Sequence, residues 1–135
     1  METKLLDTTF LIHHWGGHSD AKAYLEAQPD HTEYLTTTVN LKELAVGRKL
    51  TGEFDLLELE AQFRWVDVVP ITKGTAWAAA DLEAPLHAAA ETNQDKINSV
   101  AGDVLIAGAA IEHGATVVSK NVADFEALGA SVEPY

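Results

Sequence analysis

Hydrophobic and polar positions change period repeatedly along the chain. Leu5-Leu6 is a short apolar run that stops at Asp7, and TTFLIHHW then places apolar residues at 10, 11 and 15, so a strand feeds straight into a helix. Gly16-Gly17 breaks that helix. Ser19 to Ala27 follows as a short amphipathic helix, opened by Ser19 or Asp20 and closed before Pro29. A second strand is expected near Tyr34 to Thr37. Asn40 then caps a helix to about Lys49 with Leu41, Leu44 and Ala45 on one face, and Gly52 separates it from a helix near Phe54 to Phe63. Trp65 to Ile71 is short and β-branched, the pattern of a buried strand.

The Ala-rich stretch from Lys73 to about Thr92 keeps helical spacing, with Pro85 expected to kink it or split it in two. Asn93 to Ala101 is polar and reads as a loop. Gly102 to His113 is a helix ended by Gly114, and Ala115 to Ser119 is a buried strand. Phe125 to Leu128 is a helical turn stopped by Gly129, and Ser131 to Glu133 is a last edge strand. Alternating β and α segments predict an α/β fold, a parallel, doubly wound sheet with helices on both faces.

A length of 135 residues fits one domain spanning 1–135. The longest apolar runs stop far short of the ~20 residues of a membrane span. The start of the chain lacks the basic and apolar regions of a leader, so a cytoplasmic protein is expected. The absence of cysteine removes thiolate metal sites, disulfides and a Cys nucleophile, so any metal is held by oxygen or imidazole. Against nine basic side chains stand 21 acidic ones, a formal net charge of −12. Such a surface repels polyanions in dilute buffer and fits either a basic partner or a halophilic, salt-rich cytoplasm; the second is preferred here.

Four of the acids fall at strand-to-helix junctions. Asp7 follows the first strand, Glu43 lies in the first turn of the helix after the second, Asp103 opens the helix before the fourth, and Asp124 follows the fourth by a short loop. In a parallel sheet such positions gather at the C-terminal edge, where ligands bind. Each also has a local explanation as a cap or first-turn acid: Asp7 and Asp124 as N-caps, Glu43 in a capping box three residues after Asn40. Taken together they point to a site, which Asp103 joins if the N-terminus of its helix reaches the same edge, because converging carboxylates repel unless a cation neutralises them. Hard oxygen ligands without Cys point to Mg²⁺ or Mn²⁺ meeting phosphate oxygens, with a metal-activated water as nucleophile. Thr8, Thr9 and Asn121 lie beside these acids as supporting groups or as ordinary cap and turn residues.

The segments LLDTTFLI, TTVNLKELAVG and GDVLIAGAAIEHGATVVSKNVADFEAL resemble the PIN-domain ribonucleases, most closely the VapC-type toxins of toxin–antitoxin pairs. The resemblance spans nearly the whole chain in order. It implies a three-layer PIN-like domain with a roughly five-stranded sheet, and a metal cluster of Asp7, Glu43, Asp103 and Asp124 supported by Asn121 and Thr9. It implies endoribonuclease activity, an RNA substrate, a homodimer and neutralisation by a small antitoxin. The chain departs from the family pattern at Ala101, where another acid is frequent, and in the loop QDKINSVAG. The basic residues expected near the site are Lys42, Arg48, Lys49 and Lys120.

Other signals are assigned to structure. His13, His14 and His18 straddle a Gly-Gly break, and His31, His87 and His113 stand alone. Trp15, Trp65 and Trp77 lie in apolar-periodic segments and are expected in the core rather than stacked on bases. The Leu- and Phe-dense helices from Leu41 to Leu59 are the expected dimer or antitoxin surface. Two rival functions are a metal-dependent phosphatase or phosphotransfer domain using Lys120, and an acidic non-catalytic binding module.

Overall fold

The computed structural model describes residues 2–89 and 93–135. Its strands are β1 (Thr3–Leu6), β2 (Glu33–Thr37), β3 (Asp67–Val69), β4 (Thr116–Val118) and β5 (Val132–Glu133). They form one parallel sheet in the order β3-β2-β1-β4-β5. The chain winds outward from β1 to β3 and then returns to place β4 on the other side of β1. The order therefore reverses between β1 and β4, and a crevice opens beyond their C-terminal ends.

The helices are α1 (Thr8–Trp15), α2 (Ser19–Ala27), α3 (Thr38–Leu50), α4 (Leu56–Gln62), α5 (Lys73–Ala88), α6 (Gln94–Ser99), α7 (Ala101–Glu112) and α8 (Val122–Ala127). They cover both faces, because successive strand residues point to opposite sides. Leu5, Leu35 and Val117 join Ala79, Val104, Ile106 and Phe125 in one core. Leu6 and Val118 join Phe10, Leu11, Leu44, Leu59 and Phe63 in the other. Three layers result, with the fully buried Leu5-Leu6 pair at their centre.

Antiparallel packing of α5 and α7 builds one outer layer. Thr72 and Thr75 form a capping box at the start of α5 and both donate to Glu112 near the end of α7, at 3.1 and 2.6 Å. At the crossing, a Cβ on Gly108 would stand 3.0 Å from the Ala79 nitrogen and 3.1 Å from the Thr75 oxygen, so glycine sets the helix separation. At Gly114 the chain leaves α7 with φ +63°, a left-handed conformation that only glycine adopts without strain.

Several expectations need correction. The 93–101 stretch contains α6, a single turn-and-a-half that buries only Ile97, too little apolar surface to give a visible period. Helix α3 is capped by Thr37, with Asn40 as the third residue of the capping box, so Glu43 stands in the second turn rather than the first. Pro85 lies inside α5 without dividing it. The portion of that helix expected at 90–92 lies outside the described residues. Strand β3 is an edge strand bonded only to β2, which leaves Asp67 and Val68 exposed instead of buried. Trp65 is 38% and Trp77 68% exposed, so neither belongs to the core; Trp15 is half-buried under the Arg48 guanidinium. Helix α8 begins at Val122, which puts Asp124 inside its first turn.

Candidate active site

The crevice between β1 and β4 is organised around Asp7, a buried carboxylate. Its backbone N–H donates to the Val118 carbonyl at 3.2 Å, which ties the residue to the end of β4. Its Oδ1 accepts the Thr8 N–H at 2.9 Å and the Asn40 amide at 3.4 Å, and its Oδ2 accepts the Ser119 hydroxyl at 2.7 Å. Asp7 is thus also the N-cap of α1. All these donors are uncharged. Burial raises the Asp7 pKa, the Ser119 and Thr8 bonds oppose that rise, and Glu43 adds to it.

Asn40 is oriented from its other end. Its Oδ1 accepts both the Thr37 hydroxyl at 2.7 Å and the Thr37 N–H at 3.1 Å, so its NH₂ must face Thr8 and Asp7. That NH₂ donates to Thr8 Oγ1 at 2.9 Å, and Thr8 Oγ1 donates its own proton to Glu43 Oε1 at 2.7 Å. One threonine hydroxyl therefore couples the second turn of α3 to the end of β1. A Cβ on Gly102 would lie 3.7 Å from Glu43 Oε2, which places the start of α7 beside the same carboxylate.

Asp103, in the first turn of α7, has its pKa pushed up to about 6 by burial and then by the charges of Asp7, Glu43 and Asp124. Electrostatically the four acids form one group. Among the described residues none of them makes an ion pair. Nor, among the described residues, do three His, Asp or Glu side chains approach closely enough to hold an ion as they stand. The two observations agree physically: Asp7 is buried, Asp103 half-buried, and Glu43 and Asp124 exposed, and coupling between like charges through the field extends farther than shared coordination. The donor set is all oxygen, negatively charged and without a basic side chain, which fits a hard divalent ion that retains several waters.

The supporting residues divide. Thr8 is bonded to both Asp7 and Glu43, whereas Thr9 is half-buried in α1 and enters none of these bonds. Asn121 contributes its backbone N–H to Ser119 Oγ at 2.9 Å, steadying the hydroxyl that holds Asp7. Ser119 and Asn40 were missed as site residues. The available signal was a small polar residue directly after an apolar, β-branched run in one case and two cap candidates three residues apart in the other; the structure buries both residues.

Of the four basic residues, three have other partners. Arg48 lies 3.4 Å over the Trp15 ring and pairs with Glu53 at 3.2 Å, and Lys49 sits 4.2 Å over Phe54. Lys120 donates to Asp20 at 3.0 Å and to the Tyr135 carbonyl. Lys42 is exposed and lines a cleft between α3 and α7. His13 and His18 stack at 4.3 Å, and the His13 Nδ1 lies 2.7 Å from the Tyr135 hydroxyl.

A parallel sheet with carboxylates gathered beyond β1 and β4 defines a class of acidic-site α/β proteins. Within it the chain belongs to the PIN domain family, whose family model matches residues 4–130. No curated protein sequence matches the chain. Among solved structures, the fold is shared with DNA-bound VapBC from Salmonella typhimurium at 22% identity and a TM-score of 0.77, covering 99% of this chain and 98% of that one. VapBC2 from Rickettsia felis, bound to a promoter DNA fragment, is similar at 16% identity and a TM-score of 0.75 over 98% of both chains. Mycobacterium tuberculosis VapC20, a sarcin-ricin loop cleaving toxin, is similar at 18% identity and a TM-score of 0.60, covering 94% of this chain and 95% of that one.

Proposed function

We propose that this PIN-domain protein is a metal-dependent endoribonuclease and the toxin of a toxin–antitoxin pair. The observation that carries the reading is the gathering of the acids at one crevice: Thr8 bonds both Asp7 and Glu43, Gly102 brings the start of α7 beside Glu43, and Asp103 is raised to about 6 by burial and then by the charges of Asp7, Glu43 and Asp124. Asp7, Asp103, Asp124 and Glu43 would hold Mg²⁺ or Mn²⁺. When bound, such an ion neutralises phosphate charge and acidifies a water. The chain supplies the rest: Ser119, the Thr8 N–H and Asn40 fix both oxygens of Asp7, and Thr8 holds Glu43 toward the crevice. No covalent enzyme intermediate is needed.

The similarity to VapBC complexes supports a small antitoxin as partner. A groove of about 570 Å³ between α1, α3 and α4 suits it, lined by Ile12, Trp15 and Leu44 with Arg48, Glu53 and Glu58 at its rim. Leu50, Leu56 and Leu57 stand exposed on the same helices. A homodimer is part of the same proposal. The phosphotransfer reading is less well supported, because the Lys120 ammonium it needs is bonded to Asp20 and Tyr135.

The test is cleavage of a mixed RNA pool in molar potassium salt, with Mg²⁺ or Mn²⁺ against EDTA, for the parent protein and Asp103→Asn. Metal-dependent cutting lost in the variant supports the reading. A parent that neither cuts RNA nor takes up metal by calorimetry leaves a binding module instead.

A further inference from the structure

Beside the acids lies a second cleft, of about 410 Å³, between the start of α3 and the start of α7. Its lining is Thr38, Val39, Lys42, Ala101, Gly102 and Leu105. The cleft shares a wall with the site, since Gly102 faces Glu43 and Lys42 precedes it in the chain. Its volume falls within the range of small-ligand sites, roughly 300–1,000 Å³, and is far too small for a duplex. The chemistry of the lining is equally specific. Val39 and Leu105 give it an apolar floor, Thr38 adds one hydroxyl, and there is no aromatic ring to stack a base and no amide to read one. Its only charged residue is Lys42, the one basic candidate of the four without an ion-pair or ring partner among the described residues.

We infer that this cleft holds the nucleotide next to the scissile phosphate of a single-stranded RNA, with Lys42 on its phosphate and the Val39–Leu105 floor under its sugar and base. The inference rests on the ribonuclease reading above and adds a subsite to it. Absence of glycine at 102 would matter here: a Cβ there meets Glu43 and Val39 only at ordinary contact distance, so small substitutions are tolerated by the fold while larger ones occupy the cleft. Recognition by one phosphate and an apolar floor makes the subsite indifferent to base identity and intolerant of pairing.

The experiment measures cleavage kinetics and, in EDTA, binding of a short fluorescent single-stranded RNA as a function of KCl. The proteins are the parent, Lys42→Gln and Gly102→Leu, each with its melting temperature. Lys42→Gln is expected to raise KM about tenfold with little change in kcat, and to make the salt slope of log K shallower by about 0.7, the share of one phosphate on a single strand. Gly102→Leu should raise KM at an unaltered slope, with a folded melting curve. A parent that cuts RNA while Lys42→Gln keeps its KM and slope overturns the subsite and leaves the nuclease standing. A parent that neither binds nor cuts RNA removes both readings together.

Discussion

Asp7 and Asp103 are both carboxylates in one crevice, yet the structure treats them differently. Three uncharged donors hold Asp7 in place, while Asp103 meets burial and three like charges. The sign of the consequence follows from the direction of the shift. With its folded pKa raised to about 6 from 3.8, Asp103 stabilises the fold below its unfolded value, and that contribution is lost as pH rises through about 6. Metal-free Asp103→Asn should therefore melt higher than the parent at pH 7, by on the order of 1 kcal/mol after discounting for solvent screening. The difference should shrink as pH falls through about 6 and be lost below 3.8, where the carboxyl is protonated in both the folded and the unfolded parent. Thermal melts in EDTA across that range check it, and equal stability at pH 7 would mean that neither burial nor the neighbouring charges act on Asp103. At Asp7 the dependence lies in its supports. Ser119→Ala leaves Oδ2 without its donor and should cost about 1–3 kcal/mol together with most of the cleavage rate, read by denaturant unfolding and single-turnover kinetics. Full activity in that variant would remove Ser119 from the site.

At the scale of elements, Asp7, Asp103 and Asp124 stand at helix starts and Glu43 one turn further in, and this placement explains what the sequence made legible. Strand-to-helix alternation, the C-terminal edge and the acids were all visible in local patterns, because buried parallel strands read as apolar runs and caps occupy fixed positions. The partner of Asn40 was not. A Thr-Thr-Thr-Val-Asn run offers several caps, and only the tertiary bond to Thr8 and Asp7 distinguishes the one chosen. Helix α6 escaped notice for want of apolar surface, and Trp77 misled because helical spacing marks a face without saying whether anything covers it. On the proposed reading the Thr37 cap orients the site through Asn40 as well as starting the helix. Thr37→Ala should lose the capping box, about 1 kcal/mol by denaturant unfolding, and should lower cleavage further than that loss implies, since Asn40 and through it Thr8 and Glu43 lose their orientation. A stability loss with undisturbed kcat would show that α3 is positioned by its packing alone.

The whole molecule carries its charge as a surface problem and solves it at only a few places. Lys4, buried at the base of the sheet, meets Glu133 at 2.7 Å, where Tyr24 also donates a hydrogen bond. Burial alone would raise the Glu133 pKa, but Lys4 and Tyr24 hold it below its ordinary 4.5, so its stabilisation is present above that value and lost as pH falls through the folded one. Among the described residues few other acids have such partners, and a net charge of −12 acts on the fold as long-range repulsion. That term decays with salt: the Debye length shrinks from about 10 Å at 0.1 M to about 3 Å at 1 M. Raising KCl over this range should accordingly raise the melting temperature, by about 5 °C for a gain on the order of 1–2 kcal/mol. The same screening bears on function. A polyanionic substrate is repelled by the surface as a whole and attracted at Lys42 and at the acids once they hold cations, and only the repulsion reaches beyond a Debye length in dilute buffer. Cleavage of RNA at saturating metal should then increase from 0.1 to 1 M KCl before counterion release at the phosphate contacts turns it down. Rates measured along that series decide between the two origins of the acidity. A maximum at high salt marks adaptation to a saline interior, whereas rates and melting temperatures that fall steadily mark a surface shaped for a basic partner whose charges salt would screen.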